Sequence, residues 1–375
     1  MAHRLIWLFC ILLTSCGTGK TPSQNQDGQP AENLEISYAR GFTALRHKNF
    51  TEVTVRNPWD TLKILQRYLL VDRDQPLPED LPEGTILRTP VQSMACLYSV
   101  HAGMISRLKS LDRLKAVAEP QFIFLPEIKA RLSRKEIVSL GESVDLDIEK
   151  LIEVQPEAVL VSPFENAGYG PLTKTGIPLI ECTDYLENTP LGRAEWIKFI
   201  GLLLGKEEEA FLVFGKSAER YEQIKSKALK AIRKPTIFSE LKTGQVWYVP
   251  GGKSYMSCLF KDAGAQYLWE DTPETGSIPL AYEAVFEKAS NADFWLIKYA
   301  SQKTMTYKDL TSDFEGYSFF SAFRNRKIIA CNTVTCHYYE EGTLEPEVLL
   351  ADLVRLIHPE LTEEYQPIYF QWMAE

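Results

Sequence analysis

The longest helical pattern in the chain runs from Leu191 to Ile232 and separates two stretches in which short apolar strands alternate with helices. Apolar residues recur there at steps of three and four, first over 196–204 and, after Gly205, again over 211–228. Acidic residues open the second part and lysines close it, which suits the helix dipole. About 25 helical residues reach roughly 37 Å. We predict a rigid connection, 191–234, between two lobes; a helix inside one large domain is the alternative.

The residues before this helix predict a first α/β lobe over 34–190. Apolar strands at 91–98, 115–118, 158–161 and 177–180 alternate with helices, among them one that begins after Ser99 as its N-cap and one over 129–140. Such alternation is typical of a parallel sheet covered by helices on both faces. Residues 34–90 differ, because the strand patterns at 51–55 and 65–71 have no helices between them, and they predict a β extension of this lobe.

The residues after the helix, 235–375, repeat the same order and predict a second lobe. Strands are expected at 236–240, 246–249, 294–297 and 327–330, with helices after Ser254, over 281–288 and at 344–357, where Pro359 ends the last one. The predicted fold class is therefore α/β, with two Rossmann-like lobes, parallel-rich sheets and one long connecting α-helix.

The amino-terminal residues predict a targeting segment that does not belong to the fold. Two cationic residues precede nine apolar ones, 5–13, which are too few to span a bilayer, and Leu13-Thr14-Ser15-Cys16 follows. This pattern resembles a bacterial lipoprotein signal peptide, 1–16, with acyl chains attached at Cys16; a plain secretory signal is the alternative. Residues 17–33 are polar and predict a flexible tether. We therefore expect a lipid-anchored protein in the bacterial cell envelope, facing the periplasm.

The net charge bears on the class of partner, and the cysteine spacing bears on disulfide formation. A formal net charge of −9 makes nucleic acid an unexpected partner. Without Cys10 and Cys16, five cysteines remain at irregular spacing, which is not a disulfide framework. Cys331 and Cys336 can pair if a turn brings them together, although the spacing favours buried free thiols. A monomer is expected.

The motifs of common enzymes are absent from the sequence. Gly252-Lys253-Ser254 ends like a phosphate-binding loop, but Trp247 stands where that motif requires glycine. No His-Glu-x-x-His, Gly-x-Ser-x-Gly or paired Cys-x-x-Cys occurs either. We therefore predict a binding protein without catalytic residues, resident cofactor or metal site, and with no convergent set of ligands for zinc or manganese.

Ligands of open parallel sheets bind beyond the carboxyl ends of the strands, so the loops there supply the candidate ligand-binding residues. Aromatic residues dominate these loops and suit the walls of a cleft. The candidates are Tyr98, His101, Phe164 and Tyr169 in the first lobe and Trp247, Tyr255 and Tyr299 in the second, with Tyr248 as a further aromatic residue. For His101 the alternative is a helix-start histidine that bonds to the backbone.

Each lobe also carries a glutamate that opens a short helix. Glu149 lies nine residues before Ala158, and Glu283 lies nine residues before Ala292, and each alanine leads into an apolar strand. A single glutamate there is usually a partner of the helix dipole. Two glutamates in equivalent places are instead suited to contact two halves of a symmetric partner.

Several segments together resemble one family of binding proteins. These are Gln155–Val161, Gly176-Ile177-Pro178, Leu204-Gly205-Lys206-Glu207, Gly252-Lys253-Ser254 and Asp262-Ala263-Gly264-Ala265. They are similar to the iron-chelate and vitamin B12 substrate-binding proteins of bacterial ATP-driven importers, over roughly Val91 to Ile357. The resemblance implies the class III periplasmic binding protein fold, a stiff hinge, and docking of Glu149 and Glu283 on arginines of an ABC permease dimer with its ATPase.

The sequence leaves the ligand open among a siderophore–iron complex, haem and cobalamin. Cobalamin suits the aromatic loops, haem needs an axial ligand such as His101 or one of His337-Tyr338-Tyr339, and siderophores usually meet arginines, which are sparse here. Two other functions stay open. An envelope scaffold or surface-binding lipoprotein would keep the fold without transport, and a periplasmic hydrolase would reveal itself in an activity screen.

Overall fold

The computed structural model of the chain describes residues 31–60, 62–362 and 364–375. Within them two α/β lobes follow an amino-terminal β-sheet, and the predicted fold class is confirmed. The predicted signal peptide and all but the last residues of the predicted tether lie outside the described residues, as does Cys16. No helix in the described ranges is both long and apolar enough to cross a membrane.

The extension before the first lobe is a five-stranded sheet in chain order, antiparallel except for its last pair. Its strands are β1 (Glu32–Asn33), β2 (Phe42–Arg46), β3 (Thr51–Arg56), β4 (Ile64–Asp72) and β5 (Thr85–Thr89). The strands predicted at 51–55 and 65–71 correspond to β3 and β4. In β3 buried positions alternate with partly exposed ones, and Val53 and Val55 face the core.

The first lobe is built on a five-stranded parallel sheet in the order β12-β11-β6-β7-β8, beside a two-stranded hairpin. The strands are β6 (Met94–Cys96), β7 (Leu114–Val117), β8 (Val138–Ser139), β9 (Gly141–Glu142), β10 (Asp145–Leu146), β11 (Ala158–Val161) and β12 (Leu179–Glu181). The helices are α1 (Ser99–Arg107), α2 (Pro126–Ser133) and α3 (Ile148–Val154).

Two local predictions in this lobe were wrong. Tyr98, not Ser99, is the N-cap of α1, and no side chain caps this helix. The helix predicted over 129–140 ends at Ser133, because Lys135 has a φ of +60° that a helix does not accommodate. The residues beyond it form β8, where Val138 and Ser139 pair with β7.

The connection between the lobes contains three helices rather than one. They are α4 (Pro190–Ala194), α5 (Ile197–Leu204) and α6 (Glu207–Ala228), which packs against α5 and the last helix of the chain. Gly205 ends α5 with a φ of +65°, and a Cβ there would lie 2.7 Å from Pro90, so this position requires glycine. The long predicted helix is thus confirmed in α6, whose 22 residues span roughly 33 Å.

Helix α5 is buried on every side, which its amphipathic pattern did not predict. The extension covers the face that would otherwise meet solvent, since Phe42 stacks on Phe199 at 5.8 Å and Tyr68 lies 5.6 Å from the same ring. Lys198 is buried with it and donates to Glu195 at 2.8 Å and to the Glu35 carbonyl at 2.7 Å. Its charge is therefore paired inside the protein.

The second lobe has a five-stranded sheet in the order β16-β13-β18-β19-β20, parallel except at β20, and a three-stranded antiparallel sheet in the order β14-β15-β17. The strands are β13 (Thr236–Ser239), β14 (Lys242–Thr243), β15 (Val246–Pro250), β16 (Gln266–Tyr267), β17 (Ser277–Leu280), β18 (Phe294–Tyr299), β19 (Ile328–Asn332) and β20 (Gln371–Trp372). The helices are α7 (Tyr255–Asp262), α8 (Tyr282–Ala289), α9 (Tyr307–Asp313), α10 (Ser321–Arg324) and α11 (Pro346–Ile357).

Candidate functional site

A cavity of about 520 Å³ lies between the two lobes, where strands of both parallel sheets end. Tyr185 to Asn188, which follow β12, form its wall in the first lobe, and residues near the ends of β13, β15 and β18 form the wall opposite. A larger hollow of about 1100 Å³ is lined only by residues from 233 onwards and has no wall in the first lobe. The position of the smaller cavity makes it the candidate ligand site.

Two of the aromatic residues predicted in the first lobe, Tyr98 and Phe164, lie in a row that ends at the cavity. Tyr98 and Phe164 meet edge to face at 6.3 Å, and Phe164 lies 5.5 Å from the ring of Tyr185, which lines the cavity. Phe164 is 50% exposed. Tyr169 makes no ring contact with this row and donates its hydroxyl hydrogen to Glu181 at 2.9 Å. Tyr185 was not among the candidates, although it lies in the loop that follows the strand predicted at 177–180.

His101 is fully buried and offers no surface to a ligand in this conformation. Its Nε2 lies 3.1 Å from Oδ1 of Asp184, and Oδ2 of Asp184 lies 3.6 Å from Nε of Arg193. The alternative of a histidine bonded to the backbone also differs from the structure, since the partner is a carboxylate. Burial by itself raises the pKa of Asp184, but the hydrogen bond and charge of His101, with the charge of Arg193, outweigh it, and the pKa is lowered.

Trp247 lies in the core of the second lobe rather than on the cavity wall. Its ring is fully buried among Phe238, Trp295 and Tyr317, and its Nε1 donates to the Ser239 carbonyl at 3.0 Å. The next residue, Tyr248, points to the opposite side of β15, is 47% exposed and lines the cavity. The alternation of a strand places neighbouring residues on opposite faces, so with Trp247 in the core Tyr248 faces the cavity.

Of the other two candidates in the second lobe, only one lines the cavity. Tyr255 lines the cavity at the first residue of α7, and the Arg193 guanidinium of the first lobe lies 5.9 Å from its ring centroid. Ser254 caps this helix by accepting the amide of Ser257. Tyr299 is not among the lining residues, and its hydroxyl accepts the Met305 amide at 3.0 Å.

Two of the charged residues at the cavity pair with each other. Lys298 and Glu240 both line it and form a salt bridge of 2.8 Å, which was not predicted from the sequence. Burial by itself lowers the pKa of Lys298, but the charge of Glu240 outweighs it, and the pKa is raised. Burial also raises the pKa of Tyr185 and of Tyr255 to about 12. Both phenols therefore stay neutral near pH 7, and they offer the cavity their rings, since the Tyr185 hydroxyl donates to the Pro163 carbonyl and the Tyr255 hydroxyl is buried.

The residues considered as axial ligands of haem do not line the cavity. His337 lies 2.9 Å from Glu341, Tyr338 is buried with its hydroxyl 3.9 Å from the Met256 sulfur, and Tyr339 is exposed. Within residues 31–60, 62–362 and 364–375, no three His, Cys, Asp or Glu side chains are grouped so that they could hold a metal ion.

Glu149 and Glu283 occupy matching positions outside the cavity. Each is exposed and is the second residue of its helix, α3 or α8. Each carboxylate is therefore free of the interior and available to a partner, and the predicted helix starts are confirmed. Their contact with a permease stays a prediction.

Comparison with known proteins identifies the fold. Residues 95–335 match the model of a family described as periplasmic binding protein. An uncharacterized lipoprotein of Methanocaldococcus jannaschii is 25% identical over 95% of this chain and 92% of its own length. Among solved structures, the periplasmic heme binding protein HutB of Vibrio cholerae has a TM-score of 0.58 at 17% identity, covering 72% of this chain and 99% of its own. An Fe³⁺-hydroxamate transport protein of Saccharomonospora viridis has a TM-score of 0.56 at 21% identity, covering 72% and 94%.

The match spans both lobes and the connecting helices, and leaves out the amino-terminal sheet. The matched region begins within β6 and ends just after β19, so it contains the residues that line the cavity between the lobes. The chain belongs to the periplasmic binding protein family.

Proposed function

We propose that this protein is the lipid-anchored substrate-binding component of an ABC importer, which captures an iron complex or cobalamin between its lobes and delivers it to the permease. The observation that carries the proposal is the cavity, which takes its walls from both lobes at the carboxyl ends of their strands. A ligand there contacts both lobes at once. Solved neighbours whose names mention heme and Fe³⁺-hydroxamate are consistent with this class of ligand.

The chemistry of the walls fits a large ligand with apolar faces and polar edges. Tyr185, Tyr248 and Tyr255 provide three aromatic rings, and Leu241 and Met256 add aliphatic surface. Because Lys298 is neutralised by Glu240, the cavity does not require a strongly charged ligand. A bound anion can still draw on the Lys298 ammonium and on Arg193 behind Tyr255.

The size of the cavity separates the candidate ligands. About 520 Å³ lies within the range of roughly 300–1,000 Å³ that is common for small-molecule sites. Because about 520 Å³ lies in the lower half of that range, we favour a siderophore–iron complex or haem over cobalamin, the largest of the three. His101 would not be the axial ligand of a haem bound here, because its imidazole is buried against Asp184.

The test is native mass spectrometry of the protein purified from its own cell envelope, where the bound compound is identified by its mass. Fluorescence titration of the ligand-free protein with a ferric hydroxamate, haem and cyanocobalamin then ranks the three classes. Saturable binding that weakens in Tyr248→Ala but not in Tyr339→Ala supports the cavity, since Tyr339 is equally exposed and outside it. Absence of binding to all three compounds would favour the scaffold alternative.

A further inference from the structure

A short turn brings two cysteines of the second lobe together. Cys331 lies in β19 and is buried, whereas Cys336 lies in the following turn and is partly exposed. Their sulfurs are 3.8 Å apart as free thiols, and the Cys336 amide donates to the Asn332 carbonyl, which holds the turn closed. A disulfide needs a sulfur separation of about 2.05 Å, so the two side chains have to approach by less than 2 Å.

This pair stands at the base of a segment that crosses from the second lobe to the first. We call residues 332–345 the strap. Its Glu340 carboxylate accepts the amides of Phe124 and Leu125 in the first lobe at 2.9 and 3.2 Å, and Glu345 pairs with Arg107 at 2.7 Å. The strap also packs on α1 so closely that a Cβ at Gly103 would collide with the Glu340 backbone. Through these contacts the strap connects the second lobe to the first.

We propose that Cys331 and Cys336 are a site of covalent modification, at which reversible disulfide formation fastens the base of the strap and thereby its contacts with the first lobe. This assignment is independent of the ligand that the cleft binds. It rests on the sulfur separation, the unequal exposure of the two thiols and their place at the start of the strap.

The chemistry is a thiol–disulfide exchange with a small-molecule disulfide as oxidant. The Cys336 thiolate attacks one sulfur of the oxidant, forms a mixed disulfide and expels one thiolate. Cys331, once deprotonated, attacks the Cys336 sulfur and expels the second thiolate, and the two protons of the pair go to the two released thiols. The protein loses two electrons and two protons, and the oxidant gains them.

The surroundings support these roles. The Cys331 hydrogen bond lowers the pKa of Cys336, helped by the Tyr338 amide, while the same hydrogen bond and burial raise the pKa of Cys331. The more exposed sulfur is thus the better nucleophile, as the first step requires. Lys298 pairs with Cys331 across the parallel strands and favours its thiolate in the second step.

The test treats the full-length folded protein with excess glutathione disulfide and compares it with protein kept in a phosphine reductant. Mass mapping after alkylation is expected to show the oxidised protein two hydrogens lighter, with Cys331 linked to Cys336 and Cys258 still alkylated. Cys258 is the matched thiol, since it is also partly exposed but lies beside Asp262. Two free thiols after oxidation, or a stable mixed disulfide of Cys336 with glutathione, would overturn the proposal.

Hydrogen exchange of the same two samples tests whether the disulfide stabilises the contacts of the strap with the first lobe. Oxidation is expected to slow amide exchange of the strap, and of Phe124 and Leu125 that bond to it, by about tenfold, because closing a short loop removes chain entropy from the opened state. The ratio is taken against Tyr38 and Ala39, whose amides bond to Glu195 and not to the strap. A disulfide that leaves Phe124 and Leu125 unchanged relative to them would refute the fastening, and Cys336→Ser is expected to abolish the difference.

Discussion

The carboxylate of Glu187 accepts the backbone amide of Gly41 at 2.8 Å and so ties the amino-terminal extension to a residue of the cleft wall. The same carboxylate accepts the Arg40 amide and the Trp196 indole N–H. Space at Gly41 is limited, because a Cβ there would lie 2.6 Å from the Trp196 ring. The extension that the family model leaves out is therefore bound to the site rather than appended to the surface.

A neighbouring carboxylate gives the first prediction. Glu195 is fully buried and accepts the amides of Ser37, Tyr38 and Ala39 at 2.7–3.0 Å, as well as Lys198. Glu195→Ala is expected to lower the free energy of unfolding by about 3–5 kcal/mol, because it leaves a buried cation and three amides without their acceptor. Urea unfolding measures this. Glu208→Ala is the control, since Glu208 is exposed in the first turn of α6; an equal loss in both would contradict the prediction.

The second prediction separates two adjacent aromatic residues. Trp247→Ala is expected to lower the free energy of unfolding by about 3–5 kcal/mol, because it empties a packed aromatic core. Tyr248→Ala is expected to change unfolding little but to weaken ligand binding by about 1–2 kcal/mol, since this ring faces the cavity. Urea unfolding and fluorescence titration of both variants provide the measurement. If the Trp247→Ala protein stays folded and binds ligand more weakly while Tyr248→Ala binds normally, then Trp247 and not Tyr248 contacts the ligand.

The fold was predictable to the extent that it follows from local periodicity. The strands β3, β4, β11, β13 and β18 and the long helix α6 each carry a pattern that is legible without the rest of the chain. The β8 strand was missed because it is very short and follows a turn with positive φ at Lys135, where the residue type gives no warning.

The site was harder to predict because its side chains meet across long stretches of chain. His101 was expected at the cleft, but Asp184, 83 positions later, holds it inside the lobe. Lys298 and Glu240 meet only because their strands are neighbours in the sheet. Trp247 and Tyr248 lie on opposite faces of β15, but both faces carry apolar residues, so the alternation alone does not show which ring faces the cavity.

The third prediction concerns pH. The pKa of Asp184 is lowered in the folded protein, so its carboxylate stabilises the fold fully above its ordinary pKa, and that contribution is lost as the pH falls through the lowered value. Asp184→Asn is expected to cost about 2–4 kcal/mol at pH 7, because His101 and Arg193 lose a buried anion. Urea unfolding at pH 7, 5 and 3 should show the difference from the parent protein shrinking at pH 3. A difference that is independent of pH would show that the charge of Asp184 is not the cause.

The fourth prediction concerns the anchor. Cys16→Ser in the full chain is expected to release the protein from the membrane fraction, because stable attachment requires the acyl chains. Fractionation of cells, with a high-salt wash, measures it, and Cys10→Ser is the matched control, since that residue lies within the apolar segment before the proposed cleavage site. Full retention of the Cys16 variant on membranes would contradict lipid attachment at this residue.

The last prediction separates delivery from binding. Glu149 and Glu283 are exposed in the first turns of α3 and α8, where each carboxylate adds only a few tenths of a kcal/mol to stability, and neither lines the cavity. Glu149→Lys and Glu283→Lys are therefore expected to leave folding and ligand affinity nearly unchanged. Uptake of ligand by whole cells is expected to fall at least tenfold in either variant, because a lysine that faces a permease arginine replaces attraction with repulsion at the interface.

Ligand affinity and whole-cell uptake are measured for the same variants, so that a defect in delivery is distinguished from a defect in binding. Both lobes have to contact the permease at once, so either reversal alone is expected to remove most of the uptake, and the double variant to add little. Glu153→Lys is the matched control, since Glu153 is also exposed on α3 but lies one turn after Glu149. Normal uptake by the double variant would refute docking through these residues, whereas lost ligand affinity would place them in the binding site or the fold.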